Sequence, residues 1–215
     1  MSVSKEEIRR AIQVLRRGGL VAFPTDTVYG LGAMGFSPQA VERVYEAKAR
    51  PRSLPLPLLL ALASDLERVA RKPIPELALR LAERFWPGGL TLVLRRALAV
   101  PDAVTAGGDT VALRVPRHPV PVALISGVGE PLTGTSANLS GRPSPVTAEE
   151  VRQQMGDRVD LILDGGRCPG GVESTVLDLT GETPVLIREG AIGREELEET
   201  AGLAITWRGM ARSPS

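Results

Sequence analysis

Thr25 and Thr27 stand at alternate positions in "FPTDTVYGLGAMG", residues 23 to 35, just ahead of Gly30, Gly32 and Gly35. From an extended chain their hydroxyls point the same way and make a small polar surface at a strand end, a place to hold a small polar ligand. Lys48 and Arg50 are separated by one residue where a helix gives way to a loop, so a point charge and a planar fork could face one phosphate cluster. Lys48 reads equally well as a cation near a helix C-terminus, where the dipole favours it. Asn138 is the only asparagine in the chain and lies in a Ser/Asn/Gly stretch that suits a turn former or a ligand group alike.

Two familiar chemistries fit poorly. A dinucleotide fingerprint needs its first glycine directly after a strand and an acid about 20 positions on. Here Pro24 ends the strand well before Gly30, Ser37 and Pro38 place the helix start after Gly35, and no Asp or Glu occurs between residues 47 and 64. The glycines are then expected to allow a tight loop. "GTSAN" approaches a nucleophile elbow, but Asn138 replaces the closing glycine and His118, the only histidine, is the only available base. His118 opens an expected helix and reads as a cap or a surface group.

Composition narrows the rest. The chain has 215 residues, 43% of them hydrophobic, enough for one large domain with a real core. One cysteine, Cys168, and one histidine rule out an internal disulfide and a Cys/His zinc cluster. A net charge of +1 and 3% aromatics offer no broad field for nucleic acid and little to stack on bases, although a local basic groove stays open. With no long apolar run and a charged start, "MSVSKEEIRR", the reading is a cytoplasmic protein without a membrane span. The basic residues are skewed, 23 Arg against three Lys, and few thermolabile residues, abundant loop proline and many charges look thermophile-like, although a GC-rich genome would give a similar bias.

The elements that must position these residues alternate along the chain. Ser4 with Glu7 forms a capping box for a first helix with Ile8, Ile12 and Leu15 on one face and Gly18 as its stop. "LVAF" reads as a buried strand, and Ser37 with Pro38 opens a helix that ends near Lys48. Helices are expected near 65 to 70, 75 to 85 and 119 to 126 and from Thr147, with strands at "GLTLVLR", "TVALRVP", "LILD", "STVLDL" and "PVLIRE" and a short acidic helix at "REELEET". The expectation is a single α/β domain over residues 1 to 205 with a twisted, open, mixed sheet and flanking helices, and a flexible tail over 206 to 215.

"PTDTVYGLG", "KARP" with "PL" shortly after it, "WPGGLTLVL", "TVALRVPRHP", "TSANLSG", "ESTVLDL" and "LIREGAI", in that order, resemble the YrdC/TsaC threonylcarbamoyl-AMP synthases over about residues 18 to 192. The resemblance is to the short form and implies a YrdC-like twisted sheet with a positive concave face. It implies condensation of L-threonine, bicarbonate and ATP, with Mg2+, into threonylcarbamoyl-AMP and pyrophosphate. A separate transferase complex would then pass the group to an adenosine of tRNA, and weak tRNA binding is a further expectation.

By the same resemblance Lys48 and Arg50 act with Ser136 and Asn138 as the catalytic pairs. Arg50, Thr110, Ser136, Ser144 and Arg188 would contact ATP. Thr27, Arg114, Ser174 and the backbone near Gly134 would hold threonine, with Arg114 on its carboxylate. Each has an ordinary alternative, and a buried strand arginine needs an acidic partner under any function. Two positions depart from the pattern: Leu54 stands where Asn or Lys is usual and Leu59 where a histidine is usual, and neither side chain can make a polar contact. The rival readings are a non-catalytic RNA-binding module and an enzyme that handles carbamoyl-adenylate.

Overall fold

A computed structural model describes residues 3 to 207. In chain order the elements are α1 (Lys5–Arg16), β1 (Val21–Phe23), β2 (Gly30–Gly32), α2 (Pro38–Lys48), β3 (Leu58–Leu59), α3 (Leu66–Val69), α4 (Glu76–Phe85), β4 (Leu90–Arg95), α5 (Asp102–Thr105) and β5 (Thr110–Arg114). They continue with α6 (Pro119–Val128), β6 (Leu132–Thr133), β7 (Thr135–Ser136), α7 (Ala148–Met155), β8 (Leu161–Ile162), β9 (Thr175–Asp178), β10 (Val185–Arg188), α8 (Arg194–Ala201) and β11 (Thr206–Trp207).

Local chemistry sets the helix ends. The Ser4 hydroxyl accepts from Glu7 N at 3.2 Å while the Glu7 carboxylate accepts from Ser4 N at 2.8 Å, closing the expected capping box of α1. Gly18 follows with φ +78, the left-handed stop. Ser37 caps α2 ahead of Pro38, and the helix ends on Ala49 with φ 48 and ψ 44. A left-handed alanine costs about 1 kcal/mol, and here it turns the chain between Lys48 and Arg50.

The strands are mixed and fall into two sheets. One has the order β7-β2-β1-β8 and the other β11-β10-β9-β4-β5-β3-β6. The glycine segment is not the loop expected from its composition: Gly30 and Gly32 lie in β2, antiparallel to β1, opposite Phe23 and Val21. None of Gly30, Gly32 and Gly35 has a positive φ. They are small because other atoms lie close: a Cβ on Gly32 would sit 2.6 Å from the Phe23 ring, and one on Gly35 would sit 2.8 Å from the Pro131 carbonyl. The Pro-rich segment also yields a strand, β3, which pairs parallel with β5 and antiparallel with β6. The tail expected from residue 206 begins inside a strand, since Thr206 and Trp207 pair with Val185 and Leu186. Residues 208 to 215 lie outside the described residues.

The larger sheet has two unlike faces. Leu90, Leu92, Leu94, Val111, Leu113, Leu177 and Leu186 are buried in one apolar cluster with Leu81 and Phe85 of α4 and Leu197 of α8. Burying each such side chain is worth about 1.5 to 3 kcal/mol, which holds the sheet against its helices. The alternate residues Val93, Arg95, Thr110, Ala112, Val176 and Asp178 are only half-buried. That second face, with Arg114 at the end of β5, is where polar groups converge. A separate cluster of Ala11, Leu15, Phe23, Leu59, Leu124 and Ile125 ties α1 and α6 beneath the smaller sheet.

Candidate active site

The turn from β1 to β2 carries the first group. Thr25 Oγ1 donates to the Val28 carbonyl at 2.7 Å and lies 3.0 Å from Thr27 Oγ1, so the two hydroxyls do share one side. Arg114, at the end of β5, reaches across to them. Its Nε donates to Gly88 O at 2.8 Å, one terminal nitrogen donates to Thr27 Oγ1 at 2.9 Å, and the other donates to Asp26 Oδ1 at 2.6 Å. Burial pushes the guanidinium below its usual range and Asp26 pulls it back. The acid that a buried strand arginine requires is thus Asp26, which sequence reading did not single out; its place between the two threonines was the only signal. Of the five N–H donors of Arg114, one on each terminal nitrogen is left, enough to grip a carboxylate.

Lys48 closes α2 and is 1% exposed. Its Nζ donates to the carbonyls of Ser136 and of Asn138 (2.7 Å) and to Asn138 Oδ1 at 3.2 Å, so the Lys-x-Arg and Ser-x-Asn segments do meet. Burial, and then the neighbouring Arg50 charge, push the ammonium down to about 7 while Glu173 pulls it up. All three protons of a charged Lys48 are therefore used in pinning β7 and the loop after it. Asn138 Nδ2 in turn donates to Arg142 O at 2.5 Å. Arg50 lies beyond the left-handed turn, where Nε donates to Leu54 O at 3.2 Å and a terminal nitrogen to Pro55 O at 3.0 Å.

Glu173 joins the third group and was likewise not singled out. One of its oxygens accepts from Ser144 Oγ at 2.6 Å and the other accepts from Arg188. Arg188 Nε also donates to Ser174 O at 3.0 Å and a terminal nitrogen to Ser174 Oγ at 3.2 Å, while Ser174 Oγ meets Thr91 Oγ1 at 2.8 Å. A bulge in β10 explains the aim of Arg188: Leu186 pairs with Leu177 but Arg188, not Ile187, comes opposite Val176. The extra residue rotates Arg188 onto the half-buried face.

Two expected residues stand apart. Thr110 begins β5, four positions from Arg114 and so roughly 13 Å away along the strand, though on the same face. The Gly134 amide donates to Pro57 O at 2.9 Å, and a Cβ there would strike Leu59 Cγ at 2.3 Å. Leu59 pairs in register with Arg114 and is buried, its side chain packed over Gly134 and into the cluster beneath the smaller sheet, so the departure from histidine fills this position with an apolar group. At Leu54 the backbone carbonyl holds Arg50 and Tyr45 while the side chain is exposed. His118 is a cap, its Nδ1 accepting from Val120 N at 3.2 Å, and burial holds its pKa below the usual range. A cleft of about 510 Å³ opens beside the first group, lined by Asp26, Thr27, Gly88, Gly89, Arg117 and Gly170 among others. A larger cleft of about 850 Å³ between α3 and α4 is apolar and touches none of these residues.

Chemically, a fixed guanidinium and a half-exposed arginine on strands of the larger sheet, with a caged ammonium at the end of α2, suit a ligand with several anionic groups. The profile of the Sua5/YciO/YrdC family, described as "Telomere recombination", matches residues 13–190. Similar proteins include the threonylcarbamoyl-AMP synthase of Pyrococcus abyssi, 48% identical over 93% of this chain, and that of Bacillus subtilis, 47% identical over 94%. The chain spans 58% of the length of each. The crystal structure of P. abyssi Sua5 complexed with L-threonine superposes with a TM-score of 0.93 at 46% identity, covering 97% of this chain and 61% of that one. A match of that extent, over the segments that carry every group described above, makes this chain a member of the Sua5/YciO/YrdC family.

Proposed function

We propose that the chain condenses L-threonine, bicarbonate and ATP into threonylcarbamoyl-AMP and pyrophosphate. The observation that carries the reading is the buried Arg114, bound to Thr27 and with two N–H donors left over, in a fold that matches a threonine-bound relative. The threonine amine and bicarbonate give a carbamate and water. A carbamate oxygen then attacks the α-phosphorus of ATP as the bond to the β-phosphate oxygen breaks and pyrophosphate leaves. Arg114 holds the amino-acid carboxylate. Lys48 holds the Ser136 to Asn138 segment in place, and Arg50 and Arg188 offer charge to the phosphates. No three His, Cys, Asp or Glu side chains gather to hold a metal among the described residues, so Mg2+ enters this scheme as the counter-ion of ATP, neutralising phosphate charge. Among the described residues no helix is long and apolar enough to cross a membrane. A cytoplasmic setting, with a separate transferase that carries the product to tRNA, completes the proposal.

The test is pyrophosphate release from ATP, Mg2+ and bicarbonate with L-threonine, with L-serine and with no amino acid. Release that depends on both threonine and bicarbonate is expected. Folded, ATP-binding protein that releases none with threonine sinks the reading.

A further inference from the structure

We infer that Thr25, which lies behind the proposed threonine pocket, is a positioning residue that makes the Thr27 hydroxyl an acceptor toward the ligand. The inference rests on the function proposed above. It follows from counting protons through one buried chain of oxygens. A threonine hydroxyl has one proton and two lone pairs. Thr25 Oγ1 lies 2.7 Å from the Val28 carbonyl, and a carbonyl only accepts, so the Thr25 proton is committed there. Thr25 Oγ1 also accepts from Thr27 N at 3.0 Å. The contact of 3.0 Å between the two hydroxyls then has one polarity: Thr27 donates and Thr25 accepts. Thr25 is thereby saturated, with one bond given and two taken.

Thr27 Oγ1 has given its proton to Thr25 and takes one from Arg114 at 2.9 Å. What remains on it is a single lone pair. Thr25 and Thr27 are 4% and 2% exposed, so water does not scramble this order, and Thr27 lines the cleft of about 510 Å³. Two N–H donors of Arg114 and, beside them, one acceptor of Thr27 are thus left without a partner among the described residues. A carboxylate flanked by an N–H or O–H donor matches that pattern, which any α-amino acid presents through its amine and a hydroxy amino acid through its hydroxyl as well. Thr25 touches no ligand in this scheme and acts through Thr27 alone.

Thr25→Val keeps the shape and removes the hydroxyl, freeing the Thr27 proton to point toward the ligand. Pyrophosphate release is measured against L-threonine for wild type, Thr25→Val and Thr25→Ser, with calorimetric titration of L-threonine alone into each. The expected result is a KM and Kd for threonine raised about tenfold in Thr25→Val, kcat within about twofold, and near wild-type constants in Thr25→Ser. Wild-type constants in folded Thr25→Val, or a Thr25→Ser variant as impaired as Thr25→Val, overturn the inference. Should Thr25→Val not fold, Thr25→Ala, which also lacks the hydroxyl, reads the same split, and unchanged constants there overturn it too. If wild type turns threonine over and the variants do not differ, the inference alone falls. If wild type neither binds nor uses threonine, the proposed function falls with it.

Discussion

Two arginines on strands of one sheet are each paired with a carboxylate, and the two pairs differ mainly in water. Arg114 and Asp26 are 8% and 14% exposed, and two further bonds from the guanidinium go to Gly88 O and Thr27 Oγ1. Arg188 and Glu173 are 44% and 34% exposed and belong to a bulged strand and a loop. The first pair is a finished socket, closed before any ligand arrives. The second is a cation held by a carboxylate that a phosphate can displace at little cost, because solvent already screens the pair. In the proposed reaction this division suits a rigid seat for the amino acid and an adaptable one for the nucleotide. Lys48 is a third case, as buried as Arg114 but surrounded by neutral oxygens, with no carboxylate in contact.

The contrast breaks most visibly at Arg114. Arg114→Met leaves Asp26 buried without its cation, and urea unfolding is expected to show a loss of about 3 to 5 kcal/mol. A loss well under 1 kcal/mol would mean that the socket is not prebuilt.

Lys48 separates burial with a counter-charge from burial without one. An unfolded lysine keeps its proton up to about 10.4, while folded Lys48 releases it through about 7, so between these values the unfolded state binds more protons and stability rises with pH. Relative to Lys48→Met, the wild type is expected to gain about 1 kcal/mol per pH unit above pH 7 in denaturant titrations, up to a limit of about 1.4. A gap independent of pH would count against the depressed value. The Arg114 variant should show no such trend with respect to its own cation, since a guanidinium stays protonated.

Arg188→Met should have the smallest effect on stability, under about 1 kcal/mol by the same unfolding measurement. Its effect should appear instead as a severalfold rise in the ATP KM with the threonine KM unchanged. Equal shifts in both constants would erase the distinction between the two seats.

Much of this was legible beforehand because it is local. The capping box at Ser4 and Glu7, the stop at Gly18 and the Ser37 to Pro38 start of α2 depend on residues within one turn of each other. The alternation in β4, β5 and β9 likewise announced one covered and one open face. The motifs of the candidate site were legible, and all of its residues but Arg50, Thr110 and Gly134 are drawn into three hydrogen-bonded groups. Glu173 and Asp26 escaped notice because an exposed-looking acid in a loop carries no period and no spacing rule. β2 and β3 escaped because glycine and proline argue against strands unless a close neighbour explains them, and that neighbour is Phe23 for β2.

By itself the sequence determined most of the helices, the longer strands and the residue types available for anion binding, since propensity and capping act over a few positions. Only the tertiary structure decided that Asp26 would neutralise an arginine 88 residues away, and that a bulge would turn Arg188 to the open face. It also placed Lys48 among the oxygens of a segment about 90 residues on. Those outcomes depend on register and on which surfaces exclude water, and both are properties of the assembled sheets rather than of any one stretch of chain.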